Sequence, residues 1–175
     1  MSEKPPARVV LIEDHTMVRQ LLVHLVRDEL RLNLVADCAD GTVAVPRENP
    51  DLVVADSMLP DGRGFDVLRA TAAQPPRTRW MFMSSNEQGH LVRQAVSLGA
   101  PGFVMKRADF GSFRTAIARV LAGEKYYCAE SSRLLVDRLA DESPAVGVNH
   151  SMREREVLRG FARGRIRRRW RSGSA

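Results

Sequence analysis

Four short apolar runs each end in polar residues whose types could do chemistry together. The first run leads to Glu13 and Asp14, the second to Asp56, the third to Ser84 and the fourth to Lys106. If the runs are strands of one parallel sheet, their carboxyl ends meet at the crevice where such sheets bind ligands. Three carboxylates beside a hydroxyl and an ammonium suit a Mg²⁺ ion and a phosphoryl group, because Mg²⁺ takes oxygen ligands and positive charge stabilises phosphoryl oxygens.

The elements that would position these residues alternate along the chain. Hydrophobic patterning predicts strands at residues 8–12, 33–36, 52–55, 79–83 and 102–105, and helices at residues 15–30, 65–72, 87–98 and 110–122. Asp109 is the predicted N-cap of the last helix. Only residues 41–49 remain for a second helix, and because Pro46 lies among them we expect one or two turns at most. The alternation predicts an α/β fold, a five-stranded parallel sheet doubly wound by helices.

The alternation of strands and helices does not continue in the remaining third of the chain. Residues 123–127 are predicted to form a turn, residues 131–140 a further helix, and residues 141–150 a linker. Ser151 and Glu154 have the spacing of a capping box, which predicts a helix over residues 151–164. We therefore divide the chain into a first domain at residues 7–125, a linker helix and linker at 126–150, and an incomplete helical segment with a basic tail at 151–175.

Composition limits the class of protein. Hydrophobic residues make up 44% and charged residues 27% of the chain, which is typical of a globular protein. No apolar run approaches the ~20 residues of a membrane span, so we expect a cytoplasmic protein that does not bind membranes. Cys38 and Cys128 are expected to be reduced thiols, and the scattered histidines do not predict a zinc site.

The positive charge of the chain is concentrated at one end. Its formal net charge is +6, but residues 145–175 contain nine arginines against Glu154 and Glu156, so residues 1–144 are close to neutral. Such a segment can attract phosphate backbones through counterion release, or it can simply be solvated.

The motif residues resemble the bacterial response-regulator receiver domain of two-component signalling, over residues 8–122. The resemblance rests on the acidic pair Glu13 and Asp14, on Asp56, Met58, Pro60 and Gly64 in DSMLPDGRG, on Ser84 in FMSSN, and on Gly99, Gly102, Phe103 and Lys106 in GAPGFVMK. Arg107 departs from the family pattern, which has a proline after the lysine. The segment SMREREVLRGFARG is similar to the first helix of a LuxR-type helix-turn-helix, which implies the NarL/FixJ subfamily with a flavodoxin-like receiver.

The resemblance assigns a role to each site residue. It implies that Asp56 is the phosphoacceptor for a sensor histidine kinase, and that Ser84 and Lys106 bind phosphoryl oxygens. Mg²⁺ would be held by Glu13, Asp14, Asp56 and the backbone carbonyl of Met58. Phe103 would be the switch aromatic, although a core position is equally open. The face around the fourth helix, fifth strand and fifth helix would then form a homodimer.

Three functions remain to be compared. The first is a phosphorylated regulator of transcription, and the second is a receiver-only module that acts through protein contacts or as a phosphoryl sink. The third, a phosphatase of the haloacid dehalogenase type, would place an Asp two positions after the nucleophile, where this chain has Met58. We therefore expect a signalling protein and not an enzyme.

The DNA-binding segment implied by the LuxR-type resemblance, at residues 151–175, is expected to be incomplete. No segment after Gly164 could be a recognition helix, so promoter DNA is expected as a partner of a full-length form and is doubtful for this chain. Three explanations of the arginine-rich tail are open. It comes from a frameshift or truncated gene, it is a divergent and genuinely short output segment, or it reflects a boundary chosen for expression. A single helix at 151–164 is marginally stable alone. We therefore expect it to be frayed, or to dock its Phe161 face on the first domain or on a partner.

Overall fold

The structure, a computed structural model, describes residues 5–60, 64–71, 78–86, 88–129 and 131–133. It contains one parallel sheet with the strand order β2-β1-β3-β4-β5-β6. The strands are β1 (Arg8–Ile12), β2 (Asn33–Cys38), β3 (Leu52–Asp56), β4 (Arg79–Ser84), β5 (Gly102–Met105) and β6 (Tyr126–Tyr127). The helices are α1 (Thr16–His24), α2 (Ala44–Glu48), α3 (Gly64–Thr71), α4 (Gly89–Ser97) and α5 (Phe110–Leu121). The predicted doubly wound α/β fold is confirmed.

The central strands are apolar except at their ends because helices cover both faces of the sheet. Along β1, Val9 and Leu11 pack in a core with α1 and α5, while Val10 and Ile12 pack in a second core with α2, α3 and α4. Successive residues of a strand point to opposite faces, so one strand contributes to both cores. This explains why the sequence shows continuous apolar runs and not an alternation of apolar and polar residues.

The strand order reverses at β1, which pairs with β2 on one side and with β3 on the other. In open α/β sheets this reversal opens a crevice at the carboxyl ends of the strands. Asp56 ends β3, and the acidic pair at residues 13 and 14 directly follows β1. The topology therefore brings the predicted carboxylates to one place.

The helices agree with the patterning, with two local differences. The first predicted helix is α1 continued by a π-helical segment, Leu25–Glu29, in which the Leu30 N–H donates to the Leu25 carbonyl at 3.0 Å. As predicted, α2 is short: Pro46 is its third residue, where it removes no intrahelical hydrogen bond, and Asn49 ends it in the left-handed conformation. Asp109 caps α5 as predicted, since its Oδ1 accepts from the Ser112 N–H at 2.8 Å.

The sheet has one strand more than the predicted five. Residues 126 and 127 were predicted to lie in a turn, but they form β6, which pairs with Gly102 and Phe103 of β5. The Tyr127 hydroxyl donates to the Ala100 carbonyl at 2.7 Å in a buried position, which holds this strand against the sheet. A two-residue strand carries no periodicity, so patterning could not reveal it.

Part of the prediction lies outside the described residues. Residues 131–133 of the predicted helix 131–140 are helical, and the rest of that helix, the linker at 141–150 and the predicted helix at 151–164 are not described. Among the described helices, none is long and apolar enough to span a membrane.

Candidate functional site

Backbone hydrogen bonds continue past the strand ends and fix the site residues to the edge of the sheet. The Glu13 N–H donates to the Cys38 carbonyl at 2.9 Å, and the Ser57 N–H donates to the Met83 carbonyl at 2.8 Å. The Lys106 N–H likewise donates to the Ser84 carbonyl at 2.8 Å. Glu13, Ser57 and Lys106 are each the first residue after a strand. The sheet therefore sets the positions of their side chains.

The Lys106 ammonium lies between two carboxylates. Its Nζ is 2.7 Å from Asp56 Oδ2 and 2.7 Å from Glu13 Oε2. Both carboxylate side chains are buried, Glu13 completely, while the lysine side chain is 13% exposed. Buried carboxylates need a counter-charge, and this lysine supplies it to residues at the ends of two different strands. The structure thus brings together three of the residues singled out in the sequence.

The pKa of Lys106 reflects two opposing effects. Burial favours the neutral amine and so acts to lower the pKa of this group. The hydrogen bonds and charges of Asp56 and Glu13 favour the ammonium and outweigh burial, so the pKa of Lys106 is raised above its ordinary value of 10.5. The group is therefore a cation throughout the physiological range.

This pKa predicts how stability changes in alkaline solution. A raised pKa in the folded state adds stability below pH 10.5, and that stability is lost as the pH rises through the folded-state pKa. We expect the urea-unfolding free energy of the wild type, measured with a metal chelator, to fall more steeply above this pH than that of Lys106→Met. Parallel curves for the two proteins would contradict the assignment.

A backbone hydrogen bond to the second carboxylate oxygen, Oδ1, orients Asp56. The Met58 N–H donates to Asp56 Oδ1 at 2.9 Å, an Asx-turn that holds the carboxylate at the strand end. The following helix begins against this turn: a Cβ placed on Gly64 would lie 2.3 Å from the Asp56 carbonyl oxygen and 2.7 Å from the Ser57 carbonyl group. Gly64 is thus required for α3 to approach the backbone of the carboxylate.

Gly64→Ala is expected to destabilise the fold by about 2 kcal/mol, because the new methyl meets backbone atoms that cannot move aside as a side chain would. Gly111→Ala is a matched control, since its Cβ would meet only the Asp109 side chain, at 3.1 Å. Equal stability of the two variants in urea unfolding would contradict the packing argument.

An open cleft of about 500 Å³ lies above these residues. Its lining residues are His15, Asp56, Met58, Ser85, Asn86 and Lys106. Of these, His15, Ser85 and Asn86 were not predicted from the sequence to belong to the site. Ser85 and Asn86 could have been predicted from the sequence, since they are the two residues that follow the end of β4.

Ser84 lies at the site edge with its side chain buried. Its Oγ accepts from the Asn86 N–H at 3.0 Å and donates to the Asn86 carbonyl at 3.2 Å. Phe103 is completely buried in the core, opposite Phe82 of β4 and Tyr127 of β6. The structure therefore places Phe103 in a core position, and a switching role stays a prediction.

Four side chains could together hold a metal ion. One ligand atom from each of Glu13, Asp14, His15 and Asp56 lies within 4.8 Å of the others. The carboxylate oxygens are the donors that Mg²⁺ prefers, and Asp14 is partly exposed towards solvent, as a partly hydrated ion requires. The donor set thus fits the ion predicted from the sequence.

A doubly wound parallel sheet with an acidic, lysine-bearing site at its topological switch point defines the class of this protein. Residues 9–118 match the family described as the response regulator receiver domain. Because the match covers more than half of the chain, the protein belongs to this family.

The similar proteins are NarL- and LuxR-type regulators. The chain is 36% identical over 121 residues to the transcriptional activator protein ExaE of Pseudomonas putida, covering 67% of this chain and 56% of ExaE. It is 27% identical over 169 residues to the probable transcriptional regulatory protein NarL of Mycobacterium tuberculosis, covering 94% of this chain and 78% of NarL. A LuxR-family two-component response regulator from Aurantimonas has a similar structure, with a TM-score of 0.72 and 25% identity over 77% of this chain and 99% of that one.

Proposed function

We propose that this chain is a response regulator that accepts a phosphoryl group on Asp56 from a sensor histidine kinase. The observation that supports this most directly is the position of Asp56: its carboxylate ends β3, faces an open cleft and is paired with Lys106 at 2.7 Å. A carboxylate oxygen would attack phosphorus in line while the bond to the phosphohistidine nitrogen breaks. The electron pair of that bond leaves with the imidazole.

The charges at the site explain why a divalent cation is needed. Glu13, Asp14 and Asp56 carry three negative charges near one ammonium, so the free site repels an incoming phosphoryl group. Mg²⁺ would be held by these carboxylates and the backbone carbonyl of Met58, and when bound it supplies the charge neutralisation that the transfer requires. The residues themselves orient the acceptor: Met58 N–H fixes one Asp56 oxygen and Lys106 the other.

After transfer, the same residues would register the new charge. A phosphoryl group adds about −1.5 to −2 charges, and Lys106 is placed to pair with one of its oxygens. The Ser84 hydroxyl would have to exchange its hydrogen bond to the Asn86 carbonyl for a phosphoryl oxygen. Phe103 would then follow into the space left by Ser84, and α4, β5 and α5 would form the homodimer.

The relatives support a proposal for the output of the domain. They are transcriptional regulators, which supports control of transcription as the function of a full-length form in which the receiver at 7–125 is followed by a linker and a DNA-binding segment. For this chain, a gel-shift titration separates the two candidates. Binding to one promoter fragment that survives moderate salt supports a DNA-binding regulator, whereas weak binding with a steep salt dependence indicates only the basic segment and favours a receiver-only module.

The phosphoacceptor proposal is tested with acetyl phosphate. The protein should gain the mass of one phosphoryl group when Mg²⁺ is present, and no added mass when the ion is removed by a chelator. Size-exclusion chromatography of the labelled protein should then show the dimer. A protein that labels without the cation would contradict the charge argument.

A further inference from the structure

An arginine of α1 binds the peptide group that joins the two neighbouring acidic residues of the site. Arg19 Nη1 donates to the Glu13 carbonyl oxygen at 2.7 Å. This carbonyl belongs to the planar peptide between Glu13 and Asp14, so its direction also sets the direction in which the chain leaves Glu13. A hydrogen bond at this oxygen therefore influences where the Asp14 carboxylate lies relative to the Glu13 carboxylate.

The start of α1 places the guanidinium at the end of β1. The Arg19 N–H donates to the His15 carbonyl at 2.9 Å, so Arg19 lies in the first turn of the helix. Side chains of a helix lean towards its N-terminus, and the arginine therefore reaches back to the strand end. Its side chain is only 22% exposed, whereas that of Arg47 in α2 is 66% exposed. The bond to the carbonyl is charge-assisted, which makes it stronger than a bond between neutral groups.

The edge strand β2 supports this arrangement from the other side. Arg19 Nε lies 3.7 Å from Asp37 Oδ2, and Asp37 pairs in the sheet with Leu11 of β1. The next residue of β2, Cys38, accepts from the Glu13 N–H at 2.9 Å. The last two residues of β2 thus fix the backbone of Glu13 at both of its polar groups, Cys38 directly and Asp37 through Arg19.

The two carboxylates differ in how firmly their side chains are held. Glu13 Oε1 accepts from the His15 N–H at 3.2 Å, and Oε2 pairs with the Lys106 ammonium at 2.7 Å, in a completely buried position. The Asp14 carboxylate is instead 23% exposed beside the exposed ring of His15. Its position therefore depends on the backbone that carries it, which is the peptide that Arg19 binds.

We propose that Arg19 is a positioning residue for the cation site, and that its bond to the Glu13 carbonyl holds the Asp14 and Glu13 carboxylates in the arrangement that Mg²⁺ requires. Mg²⁺ demands near-ideal octahedral geometry, so a ligand that points in a slightly different direction weakens binding. The inference rests on one part of the proposed function, namely that these carboxylates hold a divalent cation. Arg19 acts on the cation through the backbone and not as a ligand.

The test is calorimetric titration of the whole chain with Mg²⁺ alone. Arg19→Met keeps a long side chain without a donor and should weaken Mg²⁺ binding about tenfold, the size of effect expected from a group that orients a ligand. Arg19→Lys keeps the charge, but its ammonium cannot bridge the Glu13 carbonyl and Asp37 as the guanidinium fork does, so we expect a loss of about threefold. Arg119→Met is the matched control, because Arg119 is a half-buried arginine of α5 that pairs with Glu124, and its loss should leave the affinity unchanged.

A second measurement separates positioning from a purely structural role. In labelling by acetyl phosphate, the Mg²⁺ concentration for half-maximal labelling of Arg19→Met should rise by the same factor, while the extent at saturating Mg²⁺ should match the wild type. A purely structural role would lower the urea-unfolding free energy and leave the Mg²⁺ affinity of the folded protein unchanged. If Arg19→Met does not fold, the affinity of Arg19→Lys decides.

Unchanged Mg²⁺ binding by both variants would overturn the proposal. Tighter binding by Arg19→Met would also overturn it, since that result would show that the guanidinium acts only as a charge that repels the cation. In both cases the wild type would still bind Mg²⁺ and label on Asp56. Failure of the proposed function would instead appear in the wild type itself, as a chain that does not bind Mg²⁺ or does not label.

Discussion

Asp56→Asn is expected to abolish phosphorylation by acetyl phosphate. The amide nitrogen is not a nucleophile and the amide oxygen carries no full negative charge, so the attack on phosphorus is lost altogether. The substitution is nearly isosteric, and the amide oxygen can still accept from Met58 N–H, so the fold should be preserved. The expected result is therefore an unlabelled but folded protein, observed by intact mass after incubation with acetyl phosphate and Mg²⁺.

The control for this prediction is Asp66→Asn. Asp66 is an exposed aspartate at the start of α3 that forms an ion pair with Arg69, and it lies outside the cleft. We expect this variant to label as fully as the wild type. Labelling of Asp56→Asn to the wild-type level would show that another group accepts the phosphoryl.

Asp14→Asn is expected to raise the Mg²⁺ concentration needed for half-maximal labelling by about tenfold or more. Asp14 is the most exposed carboxylate of the acidic site, and its loss removes a charged oxygen ligand while Asp56 and Lys106 stay in place. Labelling at saturating Mg²⁺ should approach the wild-type extent, because the acceptor itself is unchanged.

Asp28→Asn serves as the control for the metal prediction, since Asp28 pairs with His24 away from the cleft. Its Mg²⁺ requirement should match that of the wild type. If Asp14→Asn and the wild type need the same concentration of Mg²⁺, Asp14 is not a ligand of the ion.

The sequence predicted the fold well because the apolar runs are long enough to carry a pattern. Five strands and five helices were located within a few residues, and even the shortness of α2 followed from Pro46. The exception is β6, which depends on pairing with β5 and on the buried hydroxyl of Tyr127, neither of which leaves a local pattern. Tertiary contacts of this kind decide structure where the segment is too short to decide it alone.

The sequence indicated which side chains would lie together at the strand ends but not how they are arranged there. Residue types at strand ends identified the carboxylates and Lys106, since parallel strands must bring these ends together. The position of His15 beside the carboxylates was not predicted, because metal ligands were sought as closely spaced histidines and cysteines, whereas the groups around His15 are carboxylates at the ends of two strands. The side-chain bond between Ser84 and its neighbour Asn86 depends on the local turn, which spacing does not specify.

The most direct test of the central claim is to locate the phosphoryl group. Treatment of the acetyl-phosphate-labelled protein with borohydride reduces an aspartyl phosphate to homoserine, and peptide mass spectrometry then identifies the altered position. The account predicts homoserine at position 56 and nowhere else. Homoserine at another aspartate, or none in a protein that carries the added phosphoryl mass, would contradict it.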